Sequence, residues 1–132
     1  MSMDNGRGPE ARVTMQVPAD SAYIAVLRTT TAGLAARLDF TLDDIEDLRI
    51  AVNEACALLL RQAASGATLD CVYDLRPHEM TVTVSAQTKE SELPSSDGLP
   101  WMVLNALAGT VDAQLGPDGT VSISLSRRGG AE

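Results

Sequence analysis

Basic charge is scarce in this 132-residue chain: ten Lys and Arg stand against eighteen Asp and Glu, a net −8. A nucleic-acid binder of this size would carry a basic stripe, and none is visible, so direct binding to DNA or RNA is not expected. Histidine and cysteine are scarcer still. The single His78 falls in a Pro-flanked turn, and Cys56 and Cys71 sit in apolar patterns without ligand spacing. They assemble neither a zinc site nor a Cys/His nucleophile pair, and both cysteines read as plain buried thiols. A long apolar run is missing too. The longest, Ala55 to Leu60, falls far short of the ~20 residues that a membrane span needs. The start is polar and glycine-bearing, with no apolar signal-peptide core, which predicts a cytoplasmic protein.

What is present suits one globular domain. The chain is 45% hydrophobic and 21% charged, and its length can bury roughly two-thirds of the surface that the unfolded chain exposes. Residues 1–10 and 128–132 read as disordered ends of a single domain over 11–127. Arg12 to Val17 alternates as a half-buried strand that Pro18 ends. Asp20 or Ser21 then caps a helix reaching about Leu38, its expected buried stripe being Tyr23, Val26, Leu27, Leu34 and Leu38. Thr29 to Thr31 and Gly33 are poor helix formers, so the middle of that helix must lean on tertiary packing.

Thr41 and Asp44 form a capping-box pattern that opens a long helix to about Ala64. Ile45, Leu48, Val52, Ala55, Cys56 and Leu59 make its core face, and Gly66 stops it. Asp43, Asp44, Glu46 and Asp47 crowd the first turns, where the helix dipole favours negative charge. That cluster reads as a solvated start before it reads as a docking patch. Two strands follow, Thr68 to Leu75 and Met80 to Ala86, then a polar loop over 87–98. A short helix from Trp101 to Ala108 has Pro100 at its first position. A last hairpin, Val111 to Leu115 and Thr120 to Ser126, turns at Gly116-Pro117-Asp118-Gly119. This order predicts an α+β two-layer sandwich, helices on one face of a mixed, mainly antiparallel sheet.

Element order alone assigns no function, but residues at two places do more. The stretch Leu42 to Gln62, with Ala19 to Leu38 before it, resembles the anti-sigma-factor serine kinases of the general-stress and sporulation switches, in the GHKL ATPase superfamily. These kinases carry Glu-Ala-Cys-Thr-Asn-Ala on the long helix, and this chain has Glu54-Ala55-Cys56-Ala57-Leu58-Leu59. Gly98-Leu99-Pro100-Trp101 through Leu107 and the hairpin after it line up with the family's end. The likeness covers roughly residues 11–127 and looks closest to divergent actinobacterial members.

The resemblance implies roles for particular residues. The helix Glu is the family's general base, which makes Glu54 the catalytic candidate, functional or vestigial. The Asn four residues on holds Mg²⁺ on the ATP phosphates, and Leu58 stands there without an oxygen to offer a hard cation. The family's Asp-x-Gly-x-Gly box is replaced by Ser85-Ala86-Gln87-Thr88-Lys89, and its later Gly-x-Gly survives only as Gly98 and Leu99, with Pro100 removing an N–H donor. No Walker-type loop compensates. On the helical wheel Glu54 is either a carboxylate in an apolar pocket or an acid on an exposed face. Arg28 falls at the family's sigma-factor and antagonist contact, though by itself it reads as an ordinary surface arginine.

The leading expectation is therefore an anti-sigma factor that sequesters an alternative sigma factor by direct binding, as a homodimer. Its nucleotide site would be degenerate, with no ATP or Mg²⁺ firmly required and no metal site, and an anti-anti-sigma protein with a STAS domain would release the sigma factor by competition. The alternative is an active ATP-dependent serine kinase, Glu54 its base, with Asp97 or Gln87 replacing lost contacts. An interaction module outside sigma control is the third reading.

Overall fold

The computed structural model describes residues 10–95 and 97–129. Strand β1 (Ala11–Pro18) leads through a 3-10 turn to helix α1 (Ile24–Arg37) and helix α2 (Leu42–Gln62). Then come β2 (Thr68–Arg76), β3 (Glu79–Gln87), helix α3 (Leu99–Leu107), β4 (Thr110–Leu115) and β5 (Thr120–Arg128). The five strands form one sheet in the order β1-β2-β3-β5-β4, antiparallel at every pairing. The helices cover one face of it, as the two-layer expectation requires. Inward-facing Leu69, Cys71, Tyr73, Met80, Val82, Val84, Ile123 and Leu125 meet Leu48, Val52, Ala55, Cys56 and Leu59 of α2 in one core. The other face of β3 and β5 carries a hydroxyl ladder: Thr81–Ser126 at 2.7 Å, Thr83–Ser124 at 3.1 Å and Ser85–Ser122 at 2.8 Å.

Helix α2 forms where its pattern places it. The Thr41 side chain accepts from the Asp44 N–H and the Asp44 carboxylate accepts from the Thr41 N–H, which closes the capping box. The helix ends at Gln62, with Ala63 extended, so Gly66 at φ +77° belongs to the turn beyond it.

Helix α1 departs from expectation. Its buried residues are Ile24, Leu27, Thr31 and Ala35, whereas Tyr23 and Val26 are about two-fifths exposed and Leu34 and Leu38 only partly buried. A buried hydroxyl pair sets this rotation. Thr31 Oγ1 donates to the Leu27 carbonyl at 2.7 Å, and Tyr73 Oη from the sheet reaches the same carbonyl at 3.0 Å and Thr31 at 3.1 Å. A polar residue whose hydrogen bonds are met can lie in a core stripe.

The C-terminal boundary also moves. β5 runs through Arg128, and the Gly129 N–H donates to the His78 carbonyl at 2.9 Å. Arg127 Nη2 lies 2.8 Å from Asp44 and 3.1 Å from Asp47, and Nη1 donates to the Leu107 carbonyl. Two acids of the α2 cluster thus clamp β5, the last strand in the chain, which the solvated-start reading did not anticipate. At the other end, the Glu10 N–H donates to Leu75 at 2.8 Å, and residues 1–9 and 130–132 of the expected disordered ends lie outside the described residues.

Candidate functional site

Two depressions flank α2, and Glu54 stands between them lining neither. The first is a cleft of about 150 Å³ between α1 and α2, walled by Arg28, Glu46, Arg49, Ile50 and Asn53. One turn of spacing on α2 puts Glu46, Arg49, Ile50 and Asn53 on the face that α1 approaches. Arg28 Nη1 donates to Asn53 Oδ1 at 3.1 Å. Arg49 Nη1 reaches Glu46 at 2.7 Å. Asparagine is a neutral acceptor, and none of the ion pairs among the described residues involves Arg28. Its half-buried guanidinium is held in place without being neutralised.

The second depression is a pocket of about 430 Å³ between the C-terminal half of α2 and the segment leading into α3. Leu58, Arg61 and Gln62 form its helix wall, and Glu92, Leu93, Pro94, Ser95, Gly98 and Pro100 close it. The segment is tied to the end of α2 by the Lys89 N–H, which donates to the Gln62 carbonyl, and Ala64 just beyond the helix donates to Gln87 at the end of β3, each at 2.8 Å. Gln62 Nε2 donates to the Glu92 carbonyl at 2.9 Å, while its buried Oε1 has no partner among the described residues. Gly98 caps α3 with extended backbone and no side-chain bond, and Pro100 occupies the first turn.

The residues singled out in the sequence are therefore only partly brought together. Leu58 and Gly98 meet across this pocket, while Leu99 is 70% exposed and lines none of it. Glu54 is half-buried one turn before Leu58, with no side-chain hydrogen bond or ion pair among the described residues. Arg28 lies on the opposite side of α2. The contacts proposed for an active kinase do not converge either. Gln87 Nε2 donates to the Asp118 carbonyl and its Oε1 accepts from Thr120 at 3.3 Å, so the β4–β5 turn consumes it. Asp97 is exposed beside Ser95 and lines no pocket.

Three features escaped sequence reasoning: Asn53, Arg49 and the Gln62 acceptor. Nothing in a single sequence announces that Asn53 meets Arg28 across 25 positions, because the pairing depends on how two helices cross. The buried-thiol reading of Cys56 and Cys71 fits the core, where both are fully buried. Desolvation pushes Cys56 up to about 12 and Cys71 up to about 11, so neither is a nucleophile near neutral pH. No cluster among the described residues has the His, Cys, Asp or Glu count to hold a metal ion. No helix among them is long and apolar enough to cross a membrane.

No family model matches the chain. Over 105 residues, 80% of its length, it is 37% identical to a Mycobacterium tuberculosis protein named anti-sigma-F factor RsbW, covering 62% of that protein. It is 38% identical over 82 residues to a serine-protein kinase RsbW of Halalkalibacterium halodurans, which is 61% of this chain and 51% of the relative. The chain thus spans about half to three-fifths of the length of these relatives. Its fold matches the crystal structure of the RsbU and RsbW domains of a Mycobacterium tuberculosis protein with a TM-score of 0.72 at 15% identity, over 91% of this chain and 32% of that one. A histidine kinase domain from Erythrobacter litoralis matches at 0.54 and 14% identity, over 84% and 61%. These two likenesses bear on the fold alone.

Proposed function

We infer that this chain, related by sequence to the RsbW proteins across 80% of its length, is an anti-sigma factor that works by binding and not by phosphoryl transfer. It sequesters an alternative sigma factor of a stress response and yields it to an anti-anti-sigma protein with a STAS domain competing for the same surface. The exposed apolar side chains of Tyr23, in the turn before α1, and Val26, on α1, support a homodimer. An acidic surface, net −8, speeds encounter with a basic polymerase subunit.

The observation that carries the non-enzymatic part is the pocket's lining. Mg²⁺ demands near-octahedral oxygen coordination, with one or two carboxylates joining the phosphates. At the family's Asn position the wall is Leu58, and Leu93, Pro94 and Pro100 make much of the remainder apolar. These residues do not fit an Mg–nucleotide. The kinase alternative retains Glu54, but Glu54 does not line this pocket, and Gln87 and Asp97, offered in place of the lost contacts, do not line it either.

The direct test is capture of the alternative sigma factors of the source genome by the purified full chain, with calorimetry and run-off transcription. Saturable binding that silences transcription from one sigma factor supports the reading. Phosphate transfer from ATP to a STAS-domain serine would overturn it in favour of the kinase.

A further inference from the structure

We propose that the pocket between α2 and the segment leading into α3 binds an α-amino acid with a large apolar side chain. The ligand's carboxylate lies on Arg61, its ammonium faces Glu92 and Gln62, and its side chain packs on Leu58, Leu93 and Pro100. The proposal rests on the reading that an Mg–nucleotide does not fit this pocket, and it is independent of the sigma-factor partner.

The lining selects a zwitterion. Arg61 and Glu92 both line the pocket, both are exposed, and neither enters an ion pair among the described residues. Opposite charges that share a pocket without neutralising each other match a ligand that carries both signs. A polyphosphate or a fatty acid would meet one cation and one opposing carboxylate. Gln62 supplies a third polar point. Its Nε2 donates to the Glu92 carbonyl at 2.9 Å, while its Oε1 is buried without a partner among the described residues. Such an orphan acceptor costs free energy until an N–H reaches it. An ammonium has N–H donors to offer it, and a carboxylate or phosphate anion has none. Oε1 is closed to solvent, so the ligand reaches it as the Glu92 wall shifts, loosening the Gln62–Glu92 bond. Occupancy is thereby passed to the segment that positions α3. The apolar residues of the lining take the side chain, and a space of about 430 Å³ lies within the range of small-ligand sites.

Trp101, the chain's one tryptophan, follows Pro100 and reports on the site by its fluorescence. Phenylalanine titrated into the full chain should shift that emission saturably, with calorimetric heat to match, and leucine should do the same. Phenylpropionate, which lacks the ammonium, and phenethylamine, which lacks the carboxylate, should each bind roughly tenfold more weakly or not at all. Arg61→Gln and Glu92→Gln should each weaken phenylalanine by a similar factor and leave the melting temperature in place, both residues being exposed. Equal binding of phenylpropionate, or an affinity that neither variant moves, overturns the zwitterion site. So does the lack of any saturable response to phenylalanine and leucine. In that case, silence from Mg·ATP as well leaves the non-nucleotide reading standing, whereas micromolar Mg·ATP binding that Arg61→Gln abolishes overturns both.

Discussion

The two depressions beside α2 share a helix and differ in the chemistry of their walls. On the α1 side the wall is charged, and the Arg28 guanidinium is held by a neutral amide 3.1 Å away. On the α3 side the wall is more apolar, with Leu58, Leu93, Pro94 and Pro100 around the space. Only side chains that line a site are constrained by what it binds, and a single turn of α2 separates the two linings. Substitutions in one lining should therefore leave the other in place, because Leu48, Val52, Ala55 and Leu59 hold the helix from its core face. Glu54 stands between them and is part of neither lining.

The strongest attack on that contrast is Arg28→Ala. A long, permanently charged side chain in a desolvated interface belongs to the hot-spot class, so the substitution should cost roughly 2–4 kcal/mol of sigma-factor binding. Its fold should barely notice, within about 0.5 kcal/mol, since Arg28 lies outside the buried stripe. Paired binding and melting curves check both halves. Unchanged affinity would remove the charged cleft from the partner site, and a large fall in melting temperature would make Arg28 structural.

Sequence reasoning did unequally well on these same helices, for a physical reason. α2 carries its own signals in local chemistry: a capping box and apolar residues at helical spacing, all within 21 residues. α1 does not. Its true stripe includes Thr31, whose hydroxyl is met in the core by the Leu27 carbonyl and by the distant Tyr73 hydroxyl, and two apolar side chains at or just before its start stay exposed. The acids opening α2 looked solvated because their partner, Arg127, lies 83 positions from Asp44. The strands and the final hairpin were legible to within a residue or two, since alternation and turn chemistry are local as well. The site was half legible. Leu58 and Gly98 stood out by their type at known positions, whereas the pairing of Arg28 with Asn53 exists only in the assembled fold.

Tyr73→Phe asks whether α1 is the adjustable wall. The phenol is fully buried and joins the sheet to the α1 backbone through the Leu27 carbonyl and Thr31. Removing one buried hydroxyl from such a network should cost about 1–2 kcal/mol of stability in denaturant melts. Partner affinity should fall a few-fold, because α1 carries Arg28. The neighbouring thiols add a pH signature. Burial raises Cys56 from 9.0 to about 12 and Cys71 to about 11, so the folded state favours their protonated forms. That contribution is complete below pH 9 and is lost as pH rises through the folded values. Melting temperature should fall between pH 9 and 11 in the native chain and less in Cys56→Ala. Equal alkaline losses in both would discount the thiols.

The smallest expected effect is a null one, on the apolar side. Leu58→Asn restores one oxygen donor at the position where the family places its Mg²⁺ ligand. One ligand of the required set is a small part of the whole site. The family's adenine-binding Asp has no counterpart after β3, Gln87 is committed to the Thr120 turn, and Pro100 supplies no N–H at the start of α3. Each unmade charged or buried hydrogen bond costs about 1–3 kcal/mol, and several together separate micromolar from unmeasurable binding. Calorimetry with Mg·ATP should therefore stay flat to about millimolar for the native chain and for Leu58→Asn alike, with sigma-factor affinity unchanged. A micromolar isotherm from the native chain would show that the pocket has kept its ligand despite its lining. One that appears only in Leu58→Asn would show that this leucine alone closes the site, and the difference between the two depressions would shrink to one residue.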